Sequence, residues 1–181
     1  MSTFTLAYPE YDIAEILLFH FPKKDNYSVS IPLSRQQKFY DLILLNAESR
    51  KYLTIQVKSS RTWKDKKAPL DWYAWLNVFD VSKNYSDYYF IYITFPLFDE
   101  ESYRPQAKWA RNILVFSADE MKAIIPHLKT KKNTPERFFS FGFNQDSKDI
   151  LGVRGFMSEP KPNYKDNLFE NKINEIKNLL R

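Results

Sequence analysis

The sequence predicts one α/β domain in which a mixed central sheet is flanked by helices. Its length of 181 residues corresponds to about one domain at roughly 150 residues each. Helical and β-type segments follow one another in the order α-β-β-β-(α)-β-β-α-β-α, which is typical of α/β domains with mixed sheets. The segment 87–95 (D-Y-Y-F-I-Y-I-T-F) is apolar almost throughout, as expected of a central strand that is covered on both faces.

The first third of the chain predicts one helix followed by three strands. Residues 10–21 carry apolar side chains at helical spacing, i, i+3, i+4 and i+7. Residues 27–31 alternate between polar and apolar side chains, as in a short strand. Residues 40–45 and 52–59 are β-type runs joined by the polar segment 46–51, a pattern that predicts a hairpin.

The remainder of the chain predicts further strands and two helices. Residues 71–79 fit either a helix or an aromatic-rich loop. Ser117 and Glu120 have the spacing of a capping box, in which each side chain bonds to the other residue's main chain at the start of a helix. The other predicted elements are a strand over 112–116, a helix from 117 to about 128, a strand over 137–143 and a helix over 166–180. We expect residues 1–181 to form one domain, with the C-terminal helix within 160–181 packed on it.

Composition excludes several classes of site. The chain has no cysteine, so disulfides, thiolate metal sites and cysteine nucleophiles are excluded and a reducing compartment is favoured. Its 3 glycines are too few for a Gly-rich phosphate loop. The two histidines, His20 and His127, match no metal-ligand spacing. No apolar run approaches ~18 residues and no leader pattern is present, so we expect a soluble, cytoplasmic protein with no membrane partner.

The net charge of +5 is concentrated in one stretch of the chain. Between Arg50 and Lys67 the sequence has seven basic residues and one acidic residue, which leaves the rest of the chain about neutral. A local cationic zone favours an anionic partner such as nucleic acid. A solvated, lysine-rich loop is the alternative interpretation.

Two predicted strands bring three polar side chains together. Side chains alternate along a strand, so Gln56 and Lys58 face one way and the apolar residues around them face the other. The hairpin places Asp41 alongside them on the neighbouring strand. A hard cation such as Mg²⁺ would accept the Asp41 carboxylate, the Gln56 side-chain oxygen and a main-chain carbonyl of the strand. Lys58 would lie beside an attacking water or the charge that develops on a phosphate.

This arrangement resembles the PD-(D/E)XK superfamily of nucleases, which share the restriction-endonuclease-like fold and include junction resolvases. The hallmark of that superfamily is an aspartate at the start of one strand and (D/E/Q)-x-K on the next. Here Tyr-Asp, ending at Asp41, stands in place of the frequent Pro-Asp, and residues 56–58 are Q-V-K. The string I-Q-V-K-S-S resembles the third strand of bacterial members, and the motif-bearing resemblance covers Glu10 to Ser60.

The resemblance implies a set of metal ligands. Many members have a glutamate on the first helix, and Glu15, in Ala-Glu, stands at that place, with Glu10 as a competing candidate. We expect Mg²⁺, or Mn²⁺ in its stead, to be held by Asp41 and Glu15 together with the Gln56 side chain and the Val57 carbonyl. Because glutamine replaces an acidic ligand, the site has one negative charge fewer and favours a single ion.

The implied activity is hydrolysis of phosphodiester bonds, with a 5′-phosphate and a 3′-hydroxyl as products. The metal would activate water and polarise the scissile phosphate, and Lys58 would stabilise charge or orient the water. We expect the substrate to be double-stranded or branched DNA, cut by a homodimer or by this chain beside a partner subunit.

Residues after Lys58 are candidates for contacts with DNA. The candidates for phosphate contacts are Ser59, Arg61, Lys64, Lys66 and Lys67. An exposed charged turn explains the basic residues equally well, and a serine at this place can simply end the strand. Four aromatic residues follow the motif: Trp63, Trp72, Tyr73 and Trp75. They could stack on bases or wedge into a duplex. Aromatic side chains at this density more often belong to a core.

Two other functions fit the same sequence. A catalytically inactive nucleic-acid-binding module would bind DNA in a salt-sensitive way, indifferent to Mg²⁺ and to Lys58→Ala. A protein-interaction domain would lack affinity for nucleic acid and would expose its aromatic cluster as an apolar patch.

Overall fold

The protein is a mixed α/β structure, seen in a computed structural model that describes residues 8–32, 39–64, 69–82, 86–97, 108–145 and 148–181. Its α-helices are α1 (Tyr8–His20), α2 (Ala118–Ile124) and α3 (Phe169–Leu180). The strands are β1 (Tyr27–Ser30), β2 (Leu42–Asn46), β3 (Lys51–Trp63), β4 (Trp72–Asn77), β5 (Tyr88–Leu97), β6 (Lys108–Ser117), β7 (Phe138–Phe143) and β8 (Leu151–Gly152). No helix in these ranges is long and apolar enough to cross a bilayer.

The pairing of the strands is mostly antiparallel and is organised around β3. β1, β2 and the first half of β3 form an antiparallel meander. β5 lies parallel to β3 on the opposite edge from β2 and is antiparallel to β6. At its C-terminal end β3 pairs with β4. β4 in turn pairs with β7, and β7 pairs with β8. β3 therefore contacts three other strands, and its middle lies where their pairings diverge.

β5 separates two cores, because successive side chains on a strand point to opposite faces. Phe90 and Tyr92 join the helix-side core, which also contains the buried faces of α1 and α3. Ile91 and Ile93 join the strand-side core, formed with β4, β7 and α2. The expectation of a central strand covered on both faces is confirmed. The C-terminal helix packs on the sheet through its buried residues Phe169, Ile176 and Leu180.

The hairpin between β2 and β3 is confirmed, with a tighter connection than the polar segment 46–51 suggests. Asn46 belongs to β2, and its side-chain oxygen accepts the main-chain N–H groups of Glu48 at 2.9 Å and Ser49 at 3.3 Å. Arg50 adopts a left-handed conformation with φ of 59°. These local bonds close the turn early, so both strands extend further toward it.

The segment 71–79, for which a helix or a loop was expected, is instead the strand β4. Its residues pair one for one with β7, including Trp72 with Phe143 and Ala74 with Phe141. The partner lies more than sixty residues later in the chain, so local sequence carries no sign of the pairing.

The capping box is confirmed, but the helix that it starts is shorter than expected. The Ser117 hydroxyl accepts the Glu120 N–H at 3.1 Å, and the Glu120 carboxylate accepts the Ser117 N–H at 2.6 Å. α2 ends at Ile124 and continues only as a 3-10 turn over Ile125–His127. Pro126 has no N–H to donate to the preceding turn, which ends the α-helical pattern.

Candidate active site at a gap in the strand pairing

The candidate site lies on β3 between its pairings with β2 and β4. β2 pairs with β3 only as far as Ile55, and β4 pairs with it only from Thr62 onward. From Ile55 to Arg61 the opposite edge of β3 is occupied by β5. Residues 56–61 therefore have no strand partner on the β2 edge among the described residues. We call this segment the β3 gap, and it contains the whole Q-V-K motif.

Asp41 is held at the start of the gap by two hydrogen bonds to β3. Its N–H donates to the Ile55 carbonyl at 2.8 Å. Its carboxylate oxygen Oδ2 accepts the Val57 N–H at 2.7 Å. The aspartate side chain thus supplies the acceptor that a further residue of β2 would otherwise provide. The carboxylate is fixed to the main chain of the motif strand.

Gln56 and Lys58 share one face of β3, as the alternation predicts. Leu53, Ile55 and Val57 pack in the helix-side core on the other face. Gln56 lies beside Tyr89 of β5, and the Lys58 ammonium lies 5.2 Å from the centre of the Phe79 ring. The rings of Phe79 and Tyr89 stack at 5.4 Å. Together they form an aromatic wall beside the amide and the ammonium group.

The Asp41 carboxylate and the Lys58 ammonium attract each other across the gap. Burial raises the pKa of Asp41 above its ordinary value, against the Val57 hydrogen bond and the Lys58 charge, which both lower it. Burial lowers the pKa of Lys58, against the attraction of Asp41. These two described residues nevertheless form no direct ion pair within 4.0 Å. Both charges are partly desolvated, a state that is common at functional sites.

The main-chain carbonyl of Val57 is directed toward the same gap. The N–H and C=O of one strand residue point to the same edge, and the Val57 N–H points to Asp41. The Asp41 carboxylate and this carbonyl therefore lie at one edge of β3, and the Gln56 side chain extends from the face that it shares with Lys58. Mg²⁺ in proteins commonly takes one or two carboxylates and fills its remaining positions with water and substrate phosphate. The donors at the gap fit that pattern.

Glu15 does not lie at the β3 gap. It is exposed on α1 and lines a cavity of about 620 Å³ with Asp12, His20 and Arg111. Arg111 belongs to β6, which is separated from β3 by β5, and α1 covers the face opposite to Gln56 and Lys58. The structure therefore does not bring Glu15 to the Asp41 carboxylate. The physical reason is the rotation of α1, which turns Ala14 and Leu17 to the core and the intervening Glu15 outward.

Glu10, the competing candidate, lies at the end of α1 that approaches β3. It is in the first turn of α1, one helical turn before the buried Ala14, and is half-buried. The same turn contributes Tyr8 and Pro9 to a cavity of about 320 Å³ that is also lined by Ser59, Ser60 and Arg61. In the described part of the chain, no three Asp, Glu or His side chains are grouped closely enough to hold a metal ion together.

The predicted DNA-contacting residues fall into two groups. Ser59 and Arg61 are exposed, on the face of β3 opposite to Lys58. Lys64 is also exposed, and its ammonium lies 5.9 Å from the centre of the Trp72 ring. Lys66 and Lys67 lie outside the described residues.

The aromatic residues after the motif divide between core and surface. Trp72 and Tyr73 are buried, which confirms the core interpretation for them. Trp63 is 51% exposed and stacks on Trp75. The residues at the site that sequence reasoning missed are Phe79 and Tyr89, whose only signal was the density of aromatic residues, because they meet β3 through contacts that are distant in sequence.

No family model matches this chain, and no curated protein matches it. The functional assignment therefore depends on the geometry of the β3 gap and on the motif that it contains.

Proposed function

We propose that this chain is a Mg²⁺-dependent nuclease of the PD-(D/E)XK type, with a restriction-endonuclease-like fold, that hydrolyses phosphodiester bonds in DNA. The observation that carries the proposal is the position of the Asp41 carboxylate, bonded to the Val57 N–H at 2.7 Å and interacting with the Lys58 ammonium at an unpaired edge of β3. The mixed sheet flanked by helices agrees with the fold that the motif implies.

Three oxygen atoms would hold the ion: a carboxylate oxygen of Asp41, the Val57 carbonyl and the side-chain oxygen of Gln56. When bound, the ion would supply a polarising charge for the phosphate and lower the pKa of a coordinated water. Glu15 has no part in this set, because α1 turns it toward β6. A single protein carboxylate favours one ion over two, since each further divalent charge would lack compensation.

Lys58 is the residue that would meet the developing charge. Its ammonium is partly buried, beside the Phe79 ring on one side and under the influence of Asp41 on the other. A preorganised cation in a partly dry site stabilises transition-state charge more strongly than one in water. Arg61 on the same strand and Lys64 directly after it add positive charge and would attract the anionic backbone of DNA.

A second candidate function is a DNA-binding module that has the same fold and no catalysis. The displacement of Glu15 from Asp41 favours this candidate, because it leaves a smaller negative charge at the gap than the motif resemblance implies. The cationic residues of β3 and Lys64 would be its binding surface.

One experiment separates the two candidates. Linear, supercoiled, branched and single-stranded DNA are incubated with Mg²⁺ or Mn²⁺ and with wild-type chain, Asp41→Ala or Lys58→Ala. Cleavage by the wild-type chain that is lost in both variants supports the nuclease. Salt-sensitive binding without cleavage under either metal, unchanged in Lys58→Ala, supports the module and contradicts the nuclease.

A further inference from the structure

Beyond the gap, β3 ends in a stack of three flat groups. The indole rings of Trp63 and Trp75 are 6.0 Å apart and nearly parallel, with an angle of 5° between their planes. The Arg154 guanidinium lies 5.0 Å from the centre of the Trp75 ring. Trp63 is the outermost member, with 51% of its surface exposed.

A hydrogen bond and a strand pairing hold Arg154 and Trp75, the inner members of the stack, in place. Arg154 donates from Nε to the Glu136 carboxylate at 3.0 Å, which fixes the guanidinium against Trp75. Trp75 pairs with Ser140 in the middle of the β4–β7 ladder. An indole that is supported on one ring face and open on the other resembles a stacking platform, because its free face has no partner among the described residues.

The charges around Trp63 fit an anionic strand that carries flat bases. Arg61 lies two residues earlier on the same face of β3, and both Arg61 and the following Lys64 are exposed. Stacking on an aromatic side chain contributes to binding of single-stranded nucleic acid regardless of base identity. A base inside a duplex has both faces covered by its neighbours, whereas an unpaired base can use such a platform.

We propose that Trp63 stacks on an unpaired nucleobase of the DNA strand whose phosphate lies at the β3 gap. This inference rests on the proposed function and narrows it to DNA with single-stranded segments, such as overhangs or branches. Trp63 lies five positions after Lys58, about 16 Å along the strand, and on the opposite face of β3, so the DNA strand would pass over the open edge of the gap between them.

The test measures binding of the full chain to DNA in the absence of divalent metal, where no cleavage occurs. Fluorescence anisotropy compares a blunt duplex with the same duplex carrying a single-stranded overhang, and 2-aminopurine in the overhang reports stacking by quenching. The variants are Trp63→Ala and Trp63→Phe, with Trp109→Ala as a matched control, because Trp109 is 65% exposed on β6. Thermal unfolding checks that each variant is folded.

We expect Trp63→Ala to weaken binding of the overhang DNA by about 5- to 150-fold and to abolish the quenching. Trp63→Phe should retain part of the affinity and part of the quenching. The Trp63 variants should bind the blunt duplex like the wild type, and Trp109→Ala should bind both DNAs like the wild type. Unchanged overhang affinity in Trp63→Ala, or an equal loss on the blunt duplex, would overturn the platform and leave the nuclease untouched. Cleavage in Mg²⁺ by the wild-type chain, measured in parallel, tests the nuclease separately. Failure of the wild-type chain to bind any DNA would overturn both.

Discussion

Val57 donates its main-chain N–H to the carboxylate of Asp41 at 2.7 Å, where the pairing between β2 and β3 has just ended. The aspartate therefore has a structural task, to which the proposed function adds a chemical one. One of its oxygens completes the main-chain bonding of β3, and the proposed ion would bind to its carboxylate at the gap. The two tasks require different properties of the side chain, since any acceptor serves the first and only a charged oxygen serves the second.

Substitutions of Asp41 should separate these tasks. Asp41→Asn keeps an oxygen that accepts the Val57 N–H, so we expect a stability close to that of the wild type. Asp41→Ala leaves that N–H without its acceptor and should cost about 1–3 kcal/mol. Both variants should lose cleavage by more than about 100-fold, the upper end of what losing an outer partner of a metal site costs.

Urea unfolding and Mg²⁺-dependent cleavage measure the two effects. A further check is the rise in melting temperature on adding Mg²⁺, which should disappear in both variants because an ion that binds only the folded state stabilises it. If Asp41→Asn cleaves DNA like the wild type, Asp41 is not a metal ligand.

Lys58→Met should lower activity without lowering stability. Burial lowers the pKa of Lys58, and the attraction of Asp41 only partly compensates, so the charged form of this lysine opposes folding. An apolar side chain of similar length avoids that cost and still packs on Phe79. We expect stability equal to the wild type or higher by up to about 1 kcal/mol, with cleavage reduced by about 100- to 1000-fold.

Lys51→Met is a matched control for this prediction, because Lys51 is exposed at the other end of the same strand. Its effects on cleavage and on the urea midpoint should both be small. A marked loss of stability in Lys58→Met would show that the lysine is retained for the fold, and would argue against a catalytic role.

The two glutamates of α1 should differ in their effect on activity. Glu15 faces the cavity beside Arg111, whereas Glu10 lies in the turn that approaches Ser59 and Arg61. We therefore expect Glu15→Gln to leave cleavage within about 2-fold of the wild type, and Glu10→Gln to reduce it by about 10-fold, because Glu10 would act as an outer partner of the ion and not as one of its ligands. Initial rates over a Mg²⁺ titration measure both. The reverse ranking would mean that α1 is rotated relative to β3 when DNA binds.

The predictable parts of this fold are those that depend on local order along the chain. The period of two along β3 placed Gln56 and Lys58 on one face, and the spacing of Ser117 and Glu120 predicted the capping box. Each of these follows from backbone geometry within a few residues. The hairpin brought Asp41 to the motif for the same reason, because its two strands are consecutive.

The parts that escaped prediction depend on distant partners. β4 forms because β7 offers a row of matching residues, and Trp63 is exposed because β4 covers only one of its faces. The sequence also did not predict which face of α1 is buried, since Leu18 and Phe19 are exposed beside the buried Leu17. With apolar side chains on both sides of the helix, periodicity does not identify the face that meets the sheet.

A final prediction concerns the carboxylate that joins α2 to α3. Glu120 accepts hydrogen bonds from the Ser117 N–H at 2.6 Å, from Asn167 Nδ2 at 3.2 Å and from Lys172 Nζ at 3.0 Å. Burial disfavours its charge, but these bonds outweigh burial and hold the pKa of Glu120 below its usual value of 4.5. A carboxyl with a lowered pKa in the folded state stabilises the protein above its unfolded pKa, and this contribution is lost as the pH falls through the folded pKa.

The midpoint of urea unfolding should therefore fall as the pH is lowered below about 4.5. Glu120→Gln removes the charge and should make that decline shallower, with lower stability than the wild type at pH 7 and a smaller difference at pH 3.5. Glu48→Gln is the control, because among the described residues the Glu48 carboxylate accepts one hydrogen bond, from the exposed Asn26 side chain, and it should keep the wild-type dependence on pH. If the urea midpoints of the wild type and of Glu120→Gln fall equally with pH, protonation of this carboxylate does not weaken the packing of α3.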